Sequence, residues 1–324
     1  MILSSRIKPL ATAAGFDLCG IAKPDVIDEA RDKFDHWLAD GYHNDMDWLV
    51  DSRDRRTDPR QLMDGVKSVI MLGVNYFQPN AKSVPEGCGR VARYARGRDY
   101  HKILAKNCKT LIKKIESEVS REAVPVETPE FKFWVDYGPF MERSYAVKAG
   151  LGYIGKSGML INKRFGSWIL LAEIVTNLEL AVDQVWPGDH GRCGTCKRCI
   201  DACPTRAIRD EGVVDANRCL SYWTIESKGE IPNRYAGAMG DGVFGCDTCQ
   251  QVCPHNEKRQ KPTEHSEFLP EFGVGELLEL HPLAELKDNE TFLAQFAGTS
   301  LTRPKMEGIR RNALIVLDNQ AKRR

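Results

Sequence analysis

The sequence predicts an α/β (α+β) N-terminal domain, then a small irregular module, then a short helical tail. Three observations carry that expectation. Apolar residues recur at helical and strand periods over roughly the first 180 residues. From about Gly188 to about Asn256 this periodicity gives way to cysteine, glycine and charge, and a helical pattern returns from Glu267. The expected divisions are 1–180, 181–262 and 263–324.

Within the first division, residues 5–14 read as a helix and Phe16–Ala22 as a short strand. Ile27–Asp40 is amphipathic, with Phe34, Trp37 and Leu38 at helical spacing. The β-branched apolar run Ser68–Tyr76 reads as a buried strand. His101–Val119 is a helix whose apolar face holds Ile103, Leu104, Cys108, Leu111, Ile112 and Ile115. Phe131–Asp136 is a strand that closes on an acid, and Ser167–Thr176 is a third, strongly apolar one. In the tail, Ile309–Leu317 is the clearest amphipathic piece.

The chain of 324 residues is 42% hydrophobic and 28% charged, close to the average for soluble globular proteins. No apolar run approaches the roughly 20 residues of a membrane span, and the start lacks the apolar core of a secretory signal. A soluble, cytoplasmic monomer is expected. The net charge of +1 hides two basic stretches. Arg90–Lys114 carries nine Lys/Arg against Asp99, and Arg303–Arg324 carries seven against Glu307 and Asp318. Such stretches suggest a polyanion such as RNA, or else a solvated helix face.

Eight of the eleven cysteines fall between Cys193 and Cys253; Cys19, Cys88 and Cys108 are scattered. Clustering of this kind points to metal before disulfides. The first run, Cys193-x2-Cys196-x2-Cys199-x3-Cys203-Pro204, has the spacing of bacterial ferredoxins, whose fourth cysteine reaches the other cluster. The second run, Cys246-x2-Cys249-x3-Cys253-Pro254, is one short, and the isolated Cys219 supplies the missing thiolate. Ferredoxin-like crossing assigns Cys193, Cys196, Cys199 and Cys253 to one [4Fe–4S] cluster, and Cys203, Cys219, Cys246 and Cys249 to a second. A pair of structural zinc sites is the alternative, but zinc rarely takes three cysteines at this spacing followed by Cys-Pro. Gly191, Gly194 and Gly245 suit a backbone wrapped around a cluster.

An electron carrier alone would need only the cluster module, so the preceding 180 residues must do more. No GxGxxG follows a strand, which leaves a Rossmann cofactor unsupported. Asp136 in Val135-Asp-Tyr-Gly-Pro-Phe-Met-Glu-Arg143 closes its strand, as site residues often do in α/β sheets. Gly150, Gly152 and Gly155 follow, where backbone can approach a ligand closely. Partial desolvation is expected to raise the Asp136 pKa and make it a proton donor near neutrality. A strand-terminal Asp also commonly caps a helix or turn.

These segments together resemble the epoxyqueuosine reductases. The matching pieces are Ala92-Arg-Tyr-Ala-Arg-Gly-Arg-Asp-Tyr-His101, the D-x-x-P-x-x-E-R of Asp136–Arg143, and Ala149-Gly-Leu-Gly-Tyr-Ile-Gly-Lys156. Phe165-Gly-Ser-Trp168, the two cysteine runs and Cys219-Leu-Ser-Tyr222 complete the pattern, which spans about residues 5–315. The resemblance implies a cobalamin-dependent enzyme that reduces epoxyqueuosine to queuosine in the anticodon loop of tRNA. It further implies that the clusters deliver electrons, that no protein histidine sits beneath the cobalt, and that Asp136 protonates the departing oxygen. An N-terminal cobalamin-binding domain joined to a ferredoxin-like domain is the implied fold. A small donor such as flavodoxin or ferredoxin is the implied source of electrons.

By their place in family-like motifs, Arg56, Arg96, Asp136, Ser157, Ser167 and Ser221 are candidate cobalamin contacts. A turn or cap is the plain alternative for each serine, and a surface charge for each arginine. The DxHxxG signature of histidine-ligated corrinoid enzymes is absent, and Asp189-His190-Gly191 has the wrong spacing, so His190 reads as an ordinary exposed histidine. Longer family members carry a helical-repeat extension that helps to hold tRNA. Here the chain stops soon after Arg310–Leu317, which leaves the mode of tRNA binding open. Two rival readings are another corrinoid iron–sulfur reductase of the dehalogenase type and a non-catalytic electron-transfer protein. Bound corrinoid would exclude the second rival. The intact Asp136–Arg143 motif and the lack of a twin-arginine leader argue against the first.

Overall fold

Every residue of strand Ser68–Asn75 is buried, as its unbroken apolar run requires of a strand covered on both faces. The computed structural model describes residues 2–81, 83–121, 128–186, 192–209 and 212–323; His190 and Gly191 lie outside the described residues. In it, Ser68–Asn75 is a central strand of a four-stranded sheet. The order is Leu18–Ala22, Ser68–Asn75, Ile169–Thr176, Phe131–Trp134, and every pairing is antiparallel. The domain is therefore α+β in its pairing, and the rule that sites lie at the carboxyl ends of parallel strands does not apply to it.

Side chains alternate across this sheet. Ile70, Leu72 and Val74 pack with Ile7 and Ala11 of helix Ile2–Ala13 and with Leu104, Cys108, Leu111 and Ile115 of helix Tyr100–Val119. Val69, Met71 and Val175 face the other way, onto Tyr145 and Ala146 of helix Glu142–Lys148. Each predicted strand and helix of this region is present, with ends that coincide or shift by up to three residues. The shift that matters is at Phe131–Trp134, which stops two residues before Asp136.

A second sheet joins all three divisions of the sequence. Its central strand, Cys88–Val91, runs parallel to Gly242–Phe244 of the cysteine-rich module and antiparallel to Leu277–Glu279 of the tail. Val91, Phe244 and Leu278 pack there with Ile309, Ala313 and Val316 of helix Lys305–Ala321. The fully buried Asn312 of that helix donates to Thr224 O at 2.8 Å and Val243 O at 3.0 Å. The tail is thus not wholly helical: its Leu277-Leu-Glu run has a strand to pair with, and pairing overrides the local helical pattern.

Backbone contacts tie the tail to the first division. A Cβ at Gly97 would lie 2.4 Å from Glu267 O and 2.5 Å from Phe268 Cα. One at Gly273 would lie 2.2 Å from the Gly97 carbonyl. Backbone cannot retreat as a flexible side chain can. Gly97→Ala is therefore expected to destabilise the protein by roughly 1–3 kcal/mol or more, read as a lower midpoint in denaturant titration.

Candidate active site

The acid that opens the motif Asp136–Arg143 stands in a strained turn. Asp136 has φ of 63°, a left-handed conformation uncommon outside glycine, although Asp tolerates it better than most. The Tyr137 N–H donates to Val135 O at 2.7 Å, which closes a three-residue turn centred on Asp136. The Asp136 N–H donates to Glu142 Oε1 at 2.8 Å, the next acid of the motif. Conformations of this kind cost roughly 1–3 kcal/mol and persist where surrounding contacts enforce them, often at functional sites. The turn aims the carboxylate outward, and its side chain is 59% exposed.

Two neighbours hold that carboxylate, both from the start of helix Tyr100–Val119. Asp99 caps the helix, accepting the His101 N–H at 3.1 Å. The Tyr100 hydroxyl donates to Asp136 Oδ2. His101 places Nδ1 2.7 Å from Asp99 Oδ1 and Nε2 3.5 Å from Asp136 Oδ2, with its ring stacked on Tyr100 at 4.0 Å. Partial burial pushes the Asp136 carboxyl up, but the bonds from His101 and Tyr100 outweigh it and hold the group below the usual carboxylate range. This reverses the expectation that Asp136 is protonated near neutrality. Burial likewise pulls His101 down, but hydrogen bonds to Asp136 and Asp99 prevail and raise it to about 9. The proton shared by this pair therefore rests on the imidazole. Burial, and then the Asp136 charge, push the Tyr100 phenol far up.

Behind the turn lies a second acidic layer. Burial and the charge of Asp136 push Glu142 up to about 8. Glu173, on strand Ile169–Thr176, is fully buried, and neither of its oxygens has a hydrogen-bond partner among the described residues. Burial, then the charges of Glu142 and Asp136, raise its pKa well above the usual carboxylate range. Arg56 faces this group with its own pKa lowered by burial, and its Nη1 donates to Phe140 O at 3.0 Å. A raised acid pKa contributes stability at low pH that is lost as pH rises above the unfolded value. Glu173→Gln is therefore expected to raise the unfolding temperature more at pH 8 than at pH 4.5, and a pH series of thermal melts checks it.

The thiols gather in two groups. Cys193, Cys196, Cys199 and Cys253 line one small cavity together with Ser157, Ile161, Pro254 and His255. Cys203, Cys219, Cys246 and Cys249 lie close enough to feel one another's charge, among the buried Leu220, Phe244, Asp247 and Gln250. Backbone amides of other residues point at these sulfurs: the Lys156 N–H lies 3.4 Å from Cys193 Sγ and the Ala207 N–H 3.2 Å from Cys203 Sγ. From the second quartet, helix Leu220–Ile225 leads to Glu226, which pairs with Arg303 at 2.8 Å. Arg303 in turn feels the charges of Asp136 and Tyr100, so Glu226 and Arg303 form a charged link between the helix that follows Cys219 and the aspartate.

The remaining candidates scatter. Arg56 feels the charges of Glu142, Glu173 and Asp136, but Arg96 is fully buried and spends its guanidinium on Val91 O at 3.0 Å and Asn80 Oδ1 at 2.7 Å. Ser167 is buried in a network with Gln250 and Asn256, each at 2.9 Å. Ser157 lies at the first thiol quartet, and Ser221 follows Cys219 in helix Leu220–Ile225. Arg96 and Ser167 thus hold the fold together, and their donors face inward. The basic stretch Arg90–Lys114 divides in the same way. Arg90 pairs with Glu276 and Arg93 with Asp247, whereas Arg98, Lys102, Lys106, Lys109 and Lys113 are exposed. Sequence reasoning passed over Tyr100, His101, Glu142 and Glu173. The first two stood in the quoted Ala92–His101 segment, directly after the helix-capping Asp99.

Comparison with known proteins bears on this arrangement. The family described as "Epoxyqueuosine reductase QueG, DUF1730" matches residues 56–136, and a "4Fe-4S double cluster binding domain" matches residues 192–256. An epoxyqueuosine reductase of Cyclobacterium marinum is 40% identical over 306 residues, 94% of each chain. A solved epoxyqueuosine reductase, bound to an epoxyqueuosine-modified tRNA-Tyr stem loop, is 28% identical. It superposes with a TM-score of 0.86 over 98% of this chain and 82% of that one. The enzyme of Bacillus subtilis, solved with its catalytic aspartate loop swung out of the active site, is 27% identical with a TM-score of 0.83 over the same shares.

Proposed function

The chain belongs to the epoxyqueuosine reductase family, and on that premise we propose that it reduces epoxyqueuosine to queuosine in the anticodon loop of tRNA, with Asp136 as proton donor. The observation that carries the role of Asp136 is its outward carboxylate, held in a strained turn by Tyr100 and His101. The reaction turns an epoxide into an alkene and water, consuming two electrons and two protons. Electrons come from the 4Fe–4S domain; eight thiols in two groups support two clusters there. A bound cobalamin would supply a low-potential metal able to attack carbon.

The polar groups at Asp136 would suit the amide-bearing edge of a corrinoid. His101 has both ring nitrogens engaged by Asp99 and Asp136, so it is not available to cobalt. Asp136 and Arg56 are the candidates that the fold brings together to receive the amide rim; Ser157 and Ser221 lie beside the two thiol quartets. His101 recharges Asp136: the imidazolium passes its proton to the carboxylate as the carboxyl gives one to the oxygen released from carbon. Tyr100 holds the carboxylate in line, and the Glu142 bond keeps the turn closed. In this reading residues 1–180 carry the acid, 181–262 the clusters and 263–324 the closing helices. The protein works as a cytoplasmic monomer, supplied with electrons by a small carrier such as flavodoxin or ferredoxin.

Anaerobic purification, metal analysis and absorption spectra with and without added cobalamin test this reading. About eight irons per chain and a bound corrinoid are expected. Iron without corrinoid under any condition would reduce the protein to an electron carrier, and colourless protein would return it to the zinc alternative.

A further inference from the structure

The two thiol quartets differ in their surroundings. The second is set among buried side chains and is linked toward Asp136 through Glu226 and Arg303, as described above. The first is ringed by exposed chain: Arg192, Gly194, Thr195, Lys197 and Arg198 all face solvent. Basic side chains also converge on it from two other segments. Lys156 donates to Gly194 O at 2.7 Å, and Arg259 donates to Lys163 O at 2.6 Å while sharing, with Arg192, the electrostatic surroundings of Tyr153. Lys258 is exposed on the same side, next to helix Pro254–Glu257 that follows the ligand Cys253. Among the described residues, the acids nearby are Asp201, exposed, and Glu257, which is bound to Arg198. The rim of the solvent-side quartet is therefore strongly positive in a chain whose net charge is +1.

We infer that this basic rim, centred on Arg192, Lys197 and Lys258, is the docking surface for a small acidic one-electron carrier protein. The inference rests on the reading above, in which both quartets hold clusters. Each docking event passes one electron from the reduced carrier to the nearer cluster, and two events supply the pair consumed with two protons in forming alkene and water. An electron carrier must approach the cluster it reduces, and the first quartet is the one that solvent-borne proteins can reach. RNA is the other polyanion available, but its reacting base must arrive at Asp136. That position lies toward Arg303 and the helix that follows Cys219 of the second quartet, so the RNA is drawn there and not to the rim around the first. Charge of one sign around a recessed redox centre speeds encounter by about 10–10³-fold, and the gain falls with salt.

The test uses the iron-loaded, full-length protein and the double variant Lys197→Glu/Lys258→Glu. Neither residue is a cluster ligand, and iron content and cluster absorbance are compared first. Stopped-flow bleaching by a reduced acidic flavodoxin is then followed against ionic strength, beside bleaching by a neutral photoreduced deazaflavin. Affinity for a tRNA stem loop is measured in parallel. The expected result is a carrier-driven rate that falls about tenfold or more in the double variant and loses its salt dependence. The deazaflavin rate and stem-loop affinity should hold. An unchanged carrier rate overturns the inference, and weakened stem-loop binding with an unchanged carrier rate assigns the rim to RNA. Protein that lacks iron, or whose iron no reductant bleaches, fails at the first step, and there it is the cluster reading itself that falls.

Discussion

Asp136→Asn is expected to lower epoxide reduction by about 10²–10⁴-fold, the usual contribution of a positioned proton donor. Asn is the informative replacement because, like Asp, it tolerates the left-handed backbone at this position. It also keeps an oxygen for the Tyr100 hydroxyl to donate to. The turn should survive, and with it the iron content and stem-loop affinity, so the loss should appear in kcat with KM little changed. Asp136→Ala removes the proton donor and also the side-chain bonds that hold the turn, so it should lose stability as well as rate. Single-turnover conversion of an epoxyqueuosine-containing stem loop is the measurement. An Asn variant that turns over at the parent rate would place the proton donor elsewhere.

The second large effect is expected at His101. Its pKa is raised to about 9 by Asp136 and Asp99, so the imidazolium is present at neutral pH and is lost as pH rises through that value. If the proton delivered by Asp136 comes from His101, kcat should hold across neutrality and fall above pH about 9. His101→Gln should lower the rate by roughly 10²-fold and abolish that alkaline limb, while Tyr100 and the turn remain. A merely structural histidine would lower the rate without moving the limb. Stability follows the same sign. The bonds made by protonated His101 contribute fully below the unfolded histidine pKa of about 6.5 and are lost as pH climbs through about 9. Asp136 contributes in the opposite direction, with stability that is lost as acid titrates its depressed carboxyl.

Much of this was legible in the residues because it depends on local spacing. Three cysteines two residues apart followed by Cys-Pro form a pattern that few other structures produce, and the missing eighth thiol pointed to Cys219. The long apolar strands Ser68–Asn75 and Ile169–Thr176 were equally plain. What the sequence hid was set by tertiary approach. No periodicity announces that Arg96 points inward to Asn80 while Arg98 faces solvent. Nor could a reader of Leu277–Glu279 know that Cys88–Val91 waits to pair with it, 186 residues away at its nearest. The pKa of Asp136 came out opposite to expectation for the same reason. Burial can be guessed from an apolar strand, but His101 and Tyr100 arrive from a different helix.

The ribbon Gly242–Phe244, Cys88–Val91, Leu277–Glu279 has a consequence for the cell. Its middle strand is made early in synthesis, while both neighbours emerge more than 150 residues later, one of them from the segment that iron must organise. Until metal arrives, Cys88–Val91 keeps one bare edge, a template for pairing with other chains. Iron starvation should therefore register first as insoluble protein and only then as lost activity in the soluble fraction. Supply of iron and sulfide during expression, compared with reconstitution afterwards, should change yield more than specific activity.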